Sequence, residues 1–126
     1  MERRAVIVAG FGFRAAADVA ACKAALALAQ SGHPAVTALA APDDKAALLA
    51  PLAAALDLPL IAVTPEMLRS ITTPTCSRFS LEARGTGSVA EAAALAAAGP
   101  DAWLLTRRHV SPNRMATCAI AQGTAA

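Results

Sequence analysis

The chain has 126 residues, enough for one domain with its own core, and 56% of them are hydrophobic, with alanine in excess. It contains no Tyr, one Trp and three Phe, and its formal net charge is +2, so nucleic-acid binding is not expected. The apolar segments are too short for a membrane span or a signal peptide. We therefore expect a single domain over residues 1–126 with neither a nucleic acid nor a membrane as partner.

The cysteines and histidines bear on metals and redox state. Cys22, Cys76 and Cys118 are odd in number and widely spaced, and the two histidines lie far apart. This pattern argues against a disulfide framework and against a zinc site. Each thiol is most simply a small buried apolar side chain, and reduced thiols predict a cytoplasmic protein. No metal or cofactor is predicted.

The chain begins with a pattern of strand, glycine turn and helix. Residues 4–9 are predicted to form a buried strand around the apolar run at residues 5–9, Gly10, Gly12 and Arg14 follow, and Asp18 can cap the next helix. Such a turn can bind anions at the carboxyl end of a strand, although the full Gly-x-Gly-x-x-Gly pattern is absent. The two glycines and the arginine are therefore candidate ligand-binding residues.

The middle of the chain continues the alternation of strand and helix. We predict strands over residues 36–40 and 58–63, separated by a helix that Pro51 breaks or restarts. After the third strand, Thr64 and Pro65 supply the cap and the first residue of a short helix. This order predicts a parallel sheet covered on both faces, with ligands beyond the carboxyl ends of its strands.

Charged residues are clustered where the second predicted helix begins. Asp43 is the expected cap, because a helix start favours Asp on electrostatic grounds alone. Asp44 and Lys45 follow it, at the edge of the sheet where the first glycine turn is also expected. Both are kept as candidate ligand-binding residues.

The most informative motif lies at residues 85–91. Ser88 can cap a helix over residues 89–98, and Glu91 can return a hydrogen bond to residue 88 and complete a capping box. The preceding glycines allow close approach to the backbone, and the free N–H groups of the first turn favour an anion. A turn that merely admits a bend is the alternative. The candidate ligand-binding residues here are Gly85, Thr86, Gly87, Ser88 and Glu91.

The last predicted elements form an antiparallel pair. Strands are expected over residues 102–106 and 115–121, joined by a short basic loop that begins with Arg107, a further candidate ligand-binding residue. Before them, residues 78–84 alternate as in a strand, although Ser77 could cap one helical turn instead. The fold class expected from all elements is α/β, a three-layer α/β/α arrangement with a mixed, mainly parallel sheet.

Four segments in this order resemble the CobE family, whose domain also forms the C-terminal part of CbiG. They are residues 10–14, 44–45, 85–95 and 116–121. The family belongs to cobalamin biosynthesis, where CbiG opens a lactone ring on a cobalt-precorrin. The resemblance implies an accessory or carrier protein that binds a polycarboxylate precorrin or corrin intermediate, with other enzymes of the pathway as possible partners. A precorrin lactone hydrolase of the CbiG type and a flavodoxin-like phosphate binder are the alternatives.

Two departures from the family pattern bear on catalysis. The first turn of the family usually reads Gly-x-Gly-Cys-Arg-Arg-Gly, and here Phe13, Ala15 and Ala16 replace the Cys, the second Arg and the last Gly. A Lys often ends the strand before the last loop, where this chain has Thr106 and Arg107. Arg107 keeps the positive charge but not the amine chemistry of that Lys. The departures in the first turn and the absence of an evident nucleophile favour binding over hydrolysis, but whether the chain is an enzyme stays open, and no catalytic residue is assigned, because a triad cannot be recognised from spacing.

Overall fold

One five-stranded sheet organises the fold. The computed structural model describes residues 4–14, 17–73, 75, 81 and 87–125, with the strand order β3-β2-β1-β5-β4. The strands are β1 (Arg4–Phe13), β2 (Ala38–Pro42), β3 (Leu60–Val63), β4 (Trp103–Val110) and β5 (Ala116–Ala125). β1, β2 and β3 are parallel, and β5 is antiparallel to both β1 and β4. β4 therefore runs in the direction of β1, and the sheet is mixed and mainly parallel.

Helices cover both faces of this sheet. The helices are α1 (Val19–Gln30), α2 (Ala46–Leu56), α3 (Pro65–Ser70) and α4 (Val89–Ala98). Along β1, Ile7, Ala9 and Phe11 pack with α1 and α2, whereas Val8 packs with α3 and α4. We call these two sides the α1 face and the α4 face. The layers confirm the predicted three-layer α/β/α fold.

Three helices begin at the predicted caps. The side chains of Asp18, Thr64 and Ser88 each accept a hydrogen bond from the backbone N–H three residues later, at 2.9, 3.2 and 3.3 Å. Each cap satisfies an N–H group that has no partner within its helix. Within the described residues, no helix has both the length and the apolar character needed to cross a membrane.

The predicted glycine turn at residues 10–14 was wrong. β1 continues through Gly10 and Gly12 to Phe13, because its antiparallel pairing with β5 extends as far as the pair Phe13–Ala116. The glycines are therefore strand residues. Their role is described with the candidate site below.

The predictions for the second helix also need correction. Asp43 does not cap it, because Lys45 is the N-cap residue and makes no side-chain capping bond. Asp43 lies in the preceding turn, where its N–H donates to the carbonyl of Val63 at 2.9 Å. Pro51 lies inside the continuous helix at an exposed position. Its missing N–H removes a single helical hydrogen bond, which does not break this helix.

The basic residues expected in the last loop lie largely on a strand. β4 extends to Val110 and so includes Arg107, Arg108 and His109, and the loop that follows is confined to residues 111–115. β4 and β5 are antiparallel, as predicted. The alternatives for residues 78–84 fall outside the described part of the chain, apart from Leu81.

Candidate ligand site at the carboxyl rim

The carboxyl ends of the parallel strands meet at one edge of the sheet, which we call the carboxyl rim. β1 leads into Arg14, β2 into the turn Asp43-Asp44-Lys45, and β3 into Thr64. Arg14 and Asp44 are exposed at this rim and Lys45 is half-buried. Open α/β sheets bind ligands at this edge, so the fold brings these three candidate residues to a suitable place.

The start of α4 and the β4–β5 loop reach the same rim. Val89 and Ala90, at the start of α4, lie against Gly12, one residue before the end of β1. The N–H of Arg14 donates to the carbonyl of Met115 at 2.9 Å, which fixes the loop beside the end of β1. The rim therefore combines the cationic side chains of Arg14 and Lys45 and the N-terminal end of a helix, which favour anions, with the acidic side chains of Asp43 and Asp44.

Gly10 and Gly12 have a packing role. A Cβ atom at Gly10 would overlap the backbone of Ala90 and Ala94, and one at Gly12 would lie 3.1 Å from the Cβ of Val89. The two glycines thus let α4 lie directly on β1. The contact leaves no space for a ligand between Gly10 and α4.

Glu91 is fully buried, and its carboxylate joins three segments of the chain. Oε1 accepts hydrogen bonds from the N–H and the hydroxyl of Thr75 at 3.1 and 2.7 Å, and Oε2 accepts one from the N–H of Arg108 at 3.0 Å. Among the hydrogen bonds of the described residues, none runs from the N–H of Ser88 to Glu91, so the second half of the predicted capping box is not formed. Hydrogen bonds to both oxygens offset the burial of a charged group.

The residues just before α4 are described in part. Ser88 is buried and serves as the N-cap of α4, and Gly87 is half-buried beside it. Gly85 and Thr86 lie outside the described residues, so their predicted ligand contacts remain predictions.

The pairing of β4 with β5 is interrupted near the basic residues. Thr106 and His109 keep partners on β5, whereas Arg107 and Arg108 between them together oppose the single residue Ala119. Such a β-bulge changes the direction of side chains locally. Arg107 is exposed and Arg108 is half-buried.

The same bulge creates a side-chain pair that sequence spacing does not indicate. The Nε2 of His109 lies 2.9 Å from the Oγ1 of Thr106, and that hydroxyl also donates to the carbonyl of Arg107 at 3.3 Å. Both residues pair with β5 residues of the α1-face core, Ile120 and Cys118. The pair therefore lies on the face opposite α4, away from the candidate site at the start of that helix.

Two cysteines are buried in the core of the α1 face. Burial raises the pKa of the Cys22 thiol to about 11, with a smaller contribution from the charge of Asp18. Burial, followed by the neighbouring Cys22, raises the pKa of Cys118 well above its usual value. Both thiols are free, which confirms the prediction of small buried side chains at these two positions; Cys76 is not among the described residues.

The fold defines a class, namely an α/β domain with a mixed, mainly parallel sheet. The chain belongs to the CbiG_C family, described as the cobalamin synthesis G C-terminus, whose model matches residues 7–121. This match confirms the family resemblance of the sequence.

Two solved structures support the assignment. The chain is similar to the crystal structure of CobE, a protein from the cobalamin (vitamin B12) biosynthetic pathway, with 30% identity over 97% of this chain and 94% of that one and a TM-score of 0.84. It is also similar to cobalamin biosynthesis protein chiG from Agrobacterium tumefaciens str. C58, with 39% identity over 94% and 98% of the two chains and a TM-score of 0.72. A comparison with curated protein sequences finds no match. The chain is a cobalamin biosynthesis protein of the CobE/CbiG C-terminal type.

Proposed function

We propose that the chain binds a polycarboxylate tetrapyrrole intermediate of cobalamin biosynthesis at its carboxyl rim, in an accessory or carrier role. The observation that carries the proposal is the meeting of Arg14, Lys45 and the N-terminal end of α4 at one edge of the sheet. Corrin precursors carry several acetate and propionate groups on a broad apolar ring. Guanidinium, ammonium and backbone N–H groups are suitable donors to such carboxylates.

The proposal assigns different roles to the candidate residues. Ligand contact is assigned to Arg14, Asp44, Lys45, Gly85, Thr86, Gly87, Ser88 and Arg107. Gly10 and Gly12 support the site by admitting α4, and Glu91 supports it by joining α4 to Thr75 and Arg108. A carrier releases its ligand to the next protein, so other enzymes of the pathway are the macromolecular partners that we propose.

The chemistry of the described side chains supports binding more than hydrolysis. Phe13 stands at the end of β1, where the family pattern has a Cys, and cannot act as a nucleophile. The thiols of Cys22 and Cys118 are buried and their raised pKa values disfavour the thiolate. Free thiols also support a cytoplasmic location.

A spectroscopic titration tests this function. Purified protein is mixed with cobyrinic acid, a corrin with free carboxylates, and with its heptamethyl ester, which keeps the ring and removes the negative charges. We expect saturable retention of the acid with its absorption spectrum chemically unchanged, and weak retention of the ester. Equal retention of acid and ester would contradict carboxylate recognition, and a new chromophore would indicate catalysis instead.

A further inference from the structure

β4 contains two bulges, one between Leu104 and Thr106 and one between Thr106 and His109. The first shows how an extra residue changes the direction of the side chains. Leu104 packs with the α4-face core, and the inserted Leu105 packs with the α1-face core. Thr106 then pairs with Ile120, which also belongs to the α1-face core. Two consecutive side chains therefore lie on one face, where an unbroken strand would alternate.

The second bulge applies the same geometry to two arginines. The residues on either side, Thr106 and His109, are on the α1 face, and Arg107 and Arg108 oppose Ala119. Ala119 pairs with Gly10, which lies against α4. We propose that the second bulge turns Arg107 and Arg108 together toward the α4 face, where their guanidinium groups form a paired subsite for two carboxylates of one ligand. The inference rests on the proposed function and adds Arg108 to the binding residues.

Glu91 holds this bulge in place. The N–H of Arg108 donates to Oε2 of the buried Glu91 carboxylate at 3.0 Å, in the first turn of α4. Oε1 accepts both hydrogen bonds from Thr75, so the position of Glu91 is defined from two sides. Because Glu91 bonds to the backbone of Arg108, it is a positioning residue for the paired subsite.

The charges of the pair fit two carboxylates. Arg107 is exposed and Arg108 half-buried, and within the described parts of the chain no ion pair involves either guanidinium. Two adjacent cations repel each other, and a ligand that brings two carboxylates relieves this repulsion. Each guanidinium can also donate two parallel hydrogen bonds to a carboxylate, which favours adjacent acidic side chains on one ring.

Single and double substitutions of the arginines test the pair, with cobyrinic acid as the probe. We expect Arg107→Gln and Arg108→Gln each to weaken binding about tenfold, the scale of one charge-assisted hydrogen bond, and the double variant to weaken it about a hundredfold. Arg108→Lys should restore only part of the loss, because an ammonium lacks the paired donors. Arg69→Gln removes one exposed positive charge from the last turn of α3 and is the matched control.

The outcomes separate this inference from the function on which it rests. No binding of cobyrinic acid by the parent protein overturns both. Binding by the parent, with Arg108→Gln indistinguishable from Arg69→Gln, overturns the paired subsite alone and leaves the carboxyl rim as the site. A loss for Arg107→Gln without one for Arg108→Gln also overturns the pair.

A test of the positioning role of Glu91 requires a binding measurement whose result a general loss of stability would not reproduce. Gln at position 91 can still accept from Thr75, but it directs an amide N–H₂ toward the N–H of Arg108. We expect Glu91→Gln to weaken binding in the parent and to add nothing in the Arg107→Gln and Arg108→Gln double variant, because that variant already lacks both guanidinium groups that Glu91 positions. Equal losses in the two backgrounds would show a purely structural effect. The arginine variants decide the paired subsite even if Glu91→Gln fails to fold.

Discussion

At the residue scale, Ser88 combines a structural role with a proposed contact. Its hydroxyl accepts the N–H of Glu91 at 3.3 Å and caps α4. Ser88→Ala should lower the free energy of unfolding by about 1 kcal/mol, the usual effect of a lost cap. Urea unfolding measures this loss, and titration with cobyrinic acid measures binding. A loss of binding free energy larger than the loss of unfolding free energy supports ligand contact. Unchanged affinity would mean that Ser88 serves only as the cap.

Arg14 allows a sharper test, since it lies exposed at the end of β1. A guanidinium can bind a carboxylate through two parallel hydrogen bonds, and an ammonium cannot reproduce this geometry. Arg14→Lys should therefore weaken the binding of a carboxylated corrin by roughly 1–2 kcal/mol while the melting temperature hardly changes. Indistinguishable dissociation constants for the two proteins would remove Arg14 from the site.

The raised pKa of the Cys22 thiol predicts how the free energy of unfolding responds to alkaline pH. Its pKa of about 11 in the fold lies above the ordinary value of 9.0, so the folded protein keeps a proton that the unfolded chain releases first. The contribution of the protonated Cys22 thiol to the free energy of unfolding is complete below pH 9 and is lost as the pH rises from 9 to 11. Urea unfolding across this range should show the free energy of unfolding falling more steeply for the parent than for Cys22→Ala. Parallel pH profiles would contradict the raised pKa.

At the element scale, the position of α4 depends on glycines in the sheet. The backbone of Ala90 and Ala94 leaves no space for a Cβ at Gly10, whereas a Cβ at Gly12 meets the side chains of Thr117 and Val89 at 3.0 and 3.1 Å. Backbone cannot yield as side chains can. Gly10→Ala should therefore destabilise the fold by about 1–3 kcal/mol or more, and Gly12→Ala by less. Chemical denaturation of both variants checks the order, and the reverse order would be inconsistent with this packing.

Local signals in the sequence were sufficient for some elements. The caps at Asp18, Thr64 and Ser88 depend only on residues within one helical turn, and all three were predicted correctly. The glycine turn was wrong because Gly10 is required by a helix about eighty residues later in the chain. A strand glycine beneath a helix and a glycine in a turn look alike in the local sequence.

Features of the candidate site that depend on distant partners could not be predicted. The sequence predicts that the Glu91 side chain completes a capping box, but its partners are Thr75 and Arg108, which only the tertiary fold brings to it. Arg107 was expected in a loop because basic and polar residues follow it, whereas the bulged strand continues to Val110. The rim itself was predictable, since the order of parallel strands determines which chain segments meet at their carboxyl ends.

At the scale of the whole molecule, a net charge of only +2 conceals an uneven distribution of charge. Arg14 and Lys45 lie at the carboxyl rim together with Asp43 and Asp44, whose charges balance theirs, and the positive excess comes from Arg107 and Arg108 on β4, which runs toward the same edge of the sheet. A ligand with many carboxylates should therefore experience a locally positive surface, and salt should screen this attraction.

This distribution of charge predicts a salt-dependent affinity for cobyrinic acid. Raising the KCl concentration from about 0.05 M to about 0.5 M shortens the screening length well below the size of the rim and should weaken binding markedly. Arg14→Lys keeps the charge, so its affinity should fall but its salt dependence should match that of the parent. Arg107→Gln removes a charge and should show a shallower dependence. Titrations at several salt concentrations measure both slopes; an affinity that does not change with salt would mean that the apolar ring, and not its carboxylates, provides the binding energy.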